Sequence, residues 1–269
     1  VVPTMLQALL DAPGFDAAHV QCLNRIAFGA APMPPDLLDR ALAAWPNAEF
    51  FQAYGLTETG GAVCINLPAN HRPEARERGL LRSVGRAGLG AEIRVVDESG
   101  QEVPRGTVGE IVVRGPMVTR GYWQLPEVTA LAFRDGWFRT GDGGRMDDEG
   151  YLFIADRLKD MIITGGENVY SAEVEAALRG HPDVADAAVI GLPDERWGEA
   201  VHAVVVLRSA SDLDPAAVAD PLIAWCRQQL AGYKCPRSFS VADALPLSAA
   251  GKVLKTVLRD QLRGRSAAR

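Results

Sequence analysis

Eight residues, YGLTETGG, place Tyr54, Gly55, Thr57, Glu58, Gly60 and Gly61 shortly after the apolar pair Phe50–Phe51. The Thr57 hydroxyl, with neighbouring backbone N–H groups, can donate to an anionic oxygen. The Glu58 carboxylate can ligate Mg²⁺, a cation that keeps several waters and takes only one or two protein carboxylates beside phosphates. Tyr54 offers a flat aromatic face, and Gly55 lets backbone approach a ligand closely. Taken alone, the stretch also reads as a surface loop, the ordinary fate of a Gly/Thr cluster.

Other stretches carry comparable chemistry. GWFRTGD ends on Asp142, whose carboxylate can accept two neighbouring hydroxyls, although in GDGG it also reads as a turn aspartate. DRLKDMIITGGENVYSAEVE opens with Asp156 and Arg157; a guanidinium holds its donors in a fixed fork, while Gly165 and Gly166 can let a narrow ligand pass close to backbone. LPLSAAGKVLK contains Lys252 after a glycine, with Lys255 three positions on and expected to face solvent. Upstream, FGAAPMP supplies Gly29, Ala30, Ala31 and Pro32. GRAGLG resembles a dinucleotide-binding glycine loop, but that mechanism needs the glycines between a strand and a helix, and here they precede a strand.

The elements that must position these residues follow from periodicity. PPDLLDRALAAWP places Leu37, Leu38, Ala41, Leu42 and Trp45 on one helical face between prolines. AEFFQAYG is a short buried strand ending at Tyr54. From about residue 84 the chain turns to short β-rich runs separated by turns, AEIRVVD, TVGEIVVRG and GYLFIADR among them, as in a small β subdomain. After Asp156 come a strand (DMIIT), a helix with Ser171 as its N-cap, two apolar strands and a helix stopping near Gly232. RGRSAAR reads as a frayed polar tail.

Composition sets the bounds. The chain has 269 residues, 48% of them hydrophobic, enough for one large domain or two smaller ones. A net charge of −6 argues against general nucleic-acid binding, which needs a clustered basic surface. Four cysteines and four histidines are scattered, suggesting neither a zinc site nor a disulfide framework; a reducing cytoplasm fits best. No apolar run reaches the length of a transmembrane span.

Taken together, in this order, YGLTETGG, GWFRTGD, DRLKDMIITGGENVYSAEVE and LPLSAAGKVLK closely resemble the carboxyl-terminal half of the adenylate-forming acyl-CoA synthetases, as do FGAAPMP, GLPDERWGEAV and GYKCPRSF. The resemblance implies an α/β and α+β fold: the carboxyl-terminal part of a large N-domain (a sheet remnant plus the β subdomain) over 1–156, then a compact α+β domain over 157–269, with a hinge near Lys159. It implies ATP-dependent activation of a carboxylic acid to an acyl-adenylate, then transfer to the thiol of CoA. Tyr54, Gly55 and Thr57 would contact ATP, Glu58 would hold Mg²⁺, Gly29, Ala30, Ala31 and Pro32 would wall the adenine, and Asp142 would take the ribose hydroxyls. Arg157 would touch the nucleotide, Gly165 and Gly166 would border the pantetheine tunnel, and Lys252 would hold the substrate carboxylate and α-phosphate during adenylation.

The stretch ENVYSAEVE is similar to free-standing CoA ligases rather than carrier-protein-loading adenylation domains, although Ser171 stands where Pro is commoner. The apolar AVCINLP favours a fatty or aryl acid. The family's Ser/Thr/Gly-rich phosphate loop has no counterpart here, so the chain is expected to be half an enzyme. A non-catalytic nucleotide- or partner-binding remnant and a carrier-loading domain are the competing expectations, and self-association into a homo-oligomer stays open.

Overall fold

A computed structural model describes residues 1–208, 215–248 and 251–266. The chain divides into two compact units, Val1–Ala155 and Asp156–Arg269.

In the first unit, helix α1 (Pro3–Leu10) precedes strand β1 (Arg25–Gly29), helix α2 (Pro35–Ala44) and strand β2 (Glu49–Leu56). Strands β3 (Gly61–Asn66) and β4 (Arg86–Ala87) complete a sheet of order β1-β2-β3-β4, with the short helix α3 (Pro73–Glu77) between them in sequence. Strands β1 and β2 run parallel, Gly29 opposite Ala53, so their carboxyl ends lie side by side. The α2 stripe buries as its spacing predicts: Leu37, Leu38, Ala41 and Trp45 are inside, and Pro34–Pro35 open the helix.

Strands β5 (Glu92–Val96), β6 (Gly109–Arg114), β7 (Phe133–Arg134), β8 (Trp137–Met146) and β9 (Leu152–Arg157) form a second sheet, with helix α4 (Pro126–Ala132) leading into β7. Arg86–Ala87 pairs with β3, so this sheet itself begins at Glu92. The two sheets share a core: Val63 and Cys64 of the first pack with Val95, Ile111, Val113 and Leu152 of the second.

The second unit is a five-stranded sheet of β10 (Ile162–Thr164), β11 (Glu167–Val169), β12 (Val184–Asp194), β13 (Gly198–Leu207) and β14 (Ser238–Val241), with helices α5 (Ser171–Arg179), α6 (Pro215–Arg227) and α7 (Lys255–Ser266). Strands β12 and β13 are apolar without alternation because both faces are covered. Ala187, Val189, Val201, Ala203 and Val205 join Val174 and Leu178 of α5 and Leu222 of α6. The intervening Ala188, Ile190 and Val204 join Leu258 of α7. A two-sided sheet therefore requires α7.

Three local expectations need correction. The last segment is not a frayed tail: residues up to Ser266 belong to α7, and only 267–269 lie outside the described residues. Ser171 is not the N-cap of α5; Tyr170 holds that position, and Asp156 does the capping by accepting the Ala172 N–H at 3.2 Å. Lys255 does not face solvent, since its side chain is 13% exposed and its ammonium lies 2.7 Å from Glu175.

His202 lies buried in β13, its ring nitrogens 2.7 Å from Ser238 Oγ and 3.1 Å from Ser240 Oγ on β14. Burial lowers its pKa to about 4. An unfolded imidazole titrates near 6.5, so between these values the unfolded chain binds the extra proton and stability falls as pH drops. The loss approaches about 3 kcal/mol by pH 4 and vanishes above about 6.5. Hydrogen exchange of β13 amides, corrected for intrinsic rates, should show this slope between pH 7 and 5. A His202→Gln variant keeping the same slope would remove His202 as its source.

Candidate active site

The carboxyl ends of parallel strands are where open α/β sheets bind ligands. Gly29, Ala30, Ala31 and Pro32 lie at the end of β1, and Tyr54, Gly55, Thr57 and Glu58 at the end of β2 or in the 3₁₀ turn that follows it. The sequence thus puts both groups on one edge, because the β1–β2 register sets Gly29 against Ala53. That pairing is close: a Cβ on Gly29 would sit 2.2 Å from the Ala53 carbonyl oxygen, and one on Gly55 would sit 1.8 Å from that of Gly61.

Ala30 follows in the left-handed region at φ 67°. For an L-residue this conformation costs about 1–2 kcal/mol and persists only where the surroundings impose it. The two neighbours should respond oppositely to substitution. Gly29→Ala is expected to destabilise the first unit by roughly 1–3 kcal/mol through overpacking. Ala30→Gly relieves the left-handed strain but adds unfolded-state entropy, leaving it within about 1 kcal/mol of neutral. Urea unfolding midpoints check the pair; equal losses would show that the strand-end geometry is not what governs them.

Thr59, which sequence reasoning passed over, builds the turn. Its hydroxyl accepts the Leu56 N–H at 2.9 Å and reaches the Gly61 carbonyl at 2.8 Å, fixing the exposed Thr57 and half-buried Glu58. A segment leading into α4 grips the same turn. The Thr119 N–H donates to the Glu58 carbonyl at 2.7 Å, and the Tyr122 hydroxyl donates to Glu58 Oε1 at 2.9 Å. Burial first, and then Glu58, raise the Tyr122 pKa, which keeps it a donor. Nothing in the sequence around Tyr122 marked it, since its partner is 64 residues away.

Tyr54 and Asp142 meet. The Tyr54 hydroxyl donates to Asp142 Oδ2 at 2.7 Å, joining β2 to β8 across 88 residues. Asp142 is a buried strand residue rather than a turn aspartate, and its N–H donates to Thr140 Oγ1 at 3.0 Å. Burial, followed by the Asp142 charge and hydrogen bond, holds the Tyr54 phenol far above its ordinary value. The Tyr54 ring packs on the core containing Val63 and Ile111.

The remaining residues lie in the second unit. Arg157 ends β9, exposed, its N–H donating to Asp156 Oδ1 at 2.8 Å. Gly165 and Gly166 turn β10 into β11 at φ 61° and 84°, with the Gly165 N–H on the Trp197 carbonyl at 2.8 Å. Lys252 is exposed on a turn closed by the Leu247–Val253 bridge, where its carbonyl accepts the Ser248 N–H at 2.8 Å and its own N–H donates to Ser248 Oγ.

Among the described residues no group of three or more metal-ligating side chains exists. Glu58 alone, with one carboxylate oxygen on Tyr122, fits a cation that takes most of its ligands from phosphate and water. Burial pushes the Cys64 thiol up to about 12 and Cys226 up to about 11, so neither is a thiolate nucleophile at neutral pH. A surface cavity of about 170 Å³ on β5, β6 and β8, lined by Arg94, Arg134, Trp137 and Arg139, contains none of these residues. Its arginines already pair with Glu102, Asp135 and Glu110.

A strand-end edge with a strained turn, a carboxylate-bearing loop and a buried aspartate make up the candidate site. Two family models match the chain: AMP-binding enzyme over residues 1–123, and AMP-binding enzyme C-terminal domain over residues 173–252. A feruloyl-CoA synthase from Amycolatopsis sp. is 46% identical over 262 residues, covering 96% of this chain and 50% of the relative. A fatty acid–[acyl-carrier-protein] ligase from Streptomyces coeruleorubidus is 43% identical, covering 99% and 50%. The crystal structure of ATP-bound MatB from Rhodopseudomonas palustris superposes with a TM-score of 0.86 at 38% identity, covering 97% and 50%. The chain belongs to the AMP-binding enzyme family. It spans about half the length of the relatives it matches. No helix among the described residues is long and apolar enough to cross a membrane.

Proposed function

We propose that this chain supplies the carboxyl-terminal half of an ATP-dependent acid–CoA ligase acting on a fatty or aryl carboxylic acid. The carboxylate of the acid attacks the α-phosphorus of ATP, giving an acyl-adenylate and pyrophosphate; the CoA thiol then attacks the acyl carbon and AMP leaves. The observation that carries this reading is the Tyr54–Asp142 hydrogen bond, which joins the TGD carboxylate to the YGLTETGG edge. A carboxylate fixed there suits the ribose hydroxyls, while Gly29–Pro32 offer backbone to the adenine.

On this reading Thr57 donates to a phosphate oxygen and Glu58 would hold Mg²⁺ beside the phosphates. The ion, when bound, supplies charge neutralisation of pyrophosphate. Tyr122 positions Glu58 by its hydrogen bond. Lys252 brings a charged ammonium to the reacting carboxylate and α-phosphate, Arg157 contacts the nucleotide, and Gly165 and Gly166 border the path of the pantetheine arm. The scattered cysteines support a reducing, cytoplasmic setting.

A second reading has a specific support: one relative at 43% identity is a ligase that loads a carrier protein. The same experiment separates the two. In a chain completed to the length of its relatives, ATP–pyrophosphate exchange is measured with a panel of fatty and aryl acids, and thioester products are then followed with CoA or a pantetheinylated carrier as acceptor. Acid-dependent exchange with acyl-CoA formation supports the CoA ligase. Exchange with transfer only to the carrier supports the alternative, and no exchange with any acid refutes both.

A further inference from the structure

Lys255 is a largely buried cation that the proposed reaction does not use. Its side chain and that of Glu175 are 13% and 10% exposed, and its ammonium lies 2.7 Å from Glu175 Oε1. The same carboxylate oxygen accepts the Val189 N–H at 2.9 Å, so Glu175, on α5, is bonded to strand β12. Arg179, one turn along α5, stands 3.7 Å from Glu175 Oε2 and pairs with Asp186 at 2.8 Å. The Lys255 ammonium also donates to the Ser171 hydroxyl at the start of α5. The first residue of α7 is therefore tied to α5 and, through Glu175, to the backbone of β12.

A buried ion pair need not stabilise a fold, since apolar side chains of similar volume often do as well. What it adds here is direction. Helix α7 covers the sheet through Leu258, buried with Ala188, Ile190 and Val204, and apolar contact of this kind is non-directional. An ammonium held by a carboxylate that is itself bonded to a strand sets how the helix begins. Lys252 lies three residues before that point. Its turn is a closed hairpin: Leu247 bridges Val253, the Ser248 N–H donates to the Lys252 carbonyl at 2.8 Å, and the Leu254 N–H donates to the Pro246 carbonyl at 2.8 Å. At one end of the hairpin Leu245 packs into the cluster of Leu258; at the other, Leu254 leads directly into Lys255.

We propose that Lys255 is a positioning residue, whose pairing with Glu175 sets the orientation of the Lys252 turn on the second unit. The catalytic consequence rests on the ligase reading: without the pair, Lys252 is presented less precisely and adenylation slows while ATP binding is retained. The anchor itself is independent of that reading. Lys255, Glu175 and Val189 all follow the hinge that the resemblance implies near Lys159, so the anchor travels with Lys252 and leaves the hinge backbone free to turn.

The test removes the pair without stranding a buried charge, in the double variant Lys255→Met with Glu175→Gln. In the 269-residue chain, exchange of the Leu258 amide, which donates to the Leu254 carbonyl, should speed at least tenfold, while the β13 core amides of Ala203 and Val205 change less than threefold. In a chain completed to the length of its relatives, the same variant should lower the adenylation kcat about tenfold, because misplacing a reacting group costs rate steeply. KM for ATP should stay within twofold, and thioester formation from supplied acyl-adenylate within threefold. Glu175→Gln alone, which keeps an acceptor for the Val189 N–H, should move Leu258 exchange and kcat in the same directions by at least threefold, and Lys255→Arg should stay within threefold of the unmodified protein in both. Leu258 exchange that is unchanged, or that rises only in step with the core amides, overturns the anchor. Loosened exchange with an unchanged adenylation kcat, or with equal losses in both half-reactions, overturns the positioning of Lys252. If the unmodified completed chain lacks adenylation altogether, the ligase reading fails while the exchange result still decides the anchor.

Discussion

Lys252→Ala should lower the rate of acyl-adenylate formation by about 10²–10³-fold, or roughly 3–4 kcal/mol of transition-state stabilisation, the magnitude associated with removing one preorganised charged donor. The side chain is exposed, and among the described residues its ammonium has no partner, so its removal should leave the thermal midpoint of the protein unchanged. That separation matters: a lysine that stabilises the fold would lose activity through unfolding, whereas this one should lose only the chemical step. Lys255 makes the contrast, since its ammonium is committed to Ser171 and Glu175 and its loss should register in stability. In a chain completed to the length of its relatives, pyrophosphate exchange should collapse in Lys252→Ala, while thioester formation from supplied acyl-adenylate changes less than threefold. Equal losses in both half-reactions would show that Lys252 does not act selectively in the first.

What the sequence disclosed and withheld follows from the range of each interaction. Helix α2 was readable because its cause is local: two prolines open it and one apolar stripe repeats at helical spacing. The strand leading into YGLTETGG was readable for the same reason, apart from β2 continuing two residues past Tyr54 to Leu56, whereas β3 after it was not foreseen. Asp142 was ambiguous in sequence because GDGG satisfies turn chemistry equally well; the partner that makes it a buried strand carboxylate is Tyr54, in another sheet. Helix α7 was hidden by its polar composition, although Leu258 and Leu262 along it continue a fourth-residue spacing that starts at Leu254 just before it. Ser171 had the right type for an N-cap and sat one position too late, its hydroxyl already claimed by Asp156 and Lys255. The errors at Ser171 and Lys255 arose where a distant side chain, rather than a neighbour, decided the local outcome.

The other large effect belongs to Asp142. If its carboxylate accepts ribose hydroxyls, Asp142→Ala should raise KM for ATP about 10–100-fold, because each hydrogen bond to a charged group contributes about 1.5–3 kcal/mol. Loss of a buried carboxylate can also disturb the fold, so KM alone does not isolate the role. Tyr54→Phe provides the comparison. It removes the 2.7 Å hydrogen bond to Asp142 Oδ2 and leaves the ring packing in place, which should cost about 1–3 kcal/mol of stability with a smaller rise in KM. The decisive measurement uses 2′-deoxy-ATP. The unmodified protein should prefer ATP because the 2′-hydroxyl has an acceptor to meet. In Asp142→Ala that acceptor is gone, so the two nucleotides should react with similar kcat/KM, and in Tyr54→Phe most of the preference should survive. Coupling of this kind between a protein group and a ligand group appears only where the two interact directly. A variant lacking Asp142 that still discriminated fully against the deoxynucleotide would place the ribose elsewhere and leave Asp142 as the partner that closes β2 onto β8.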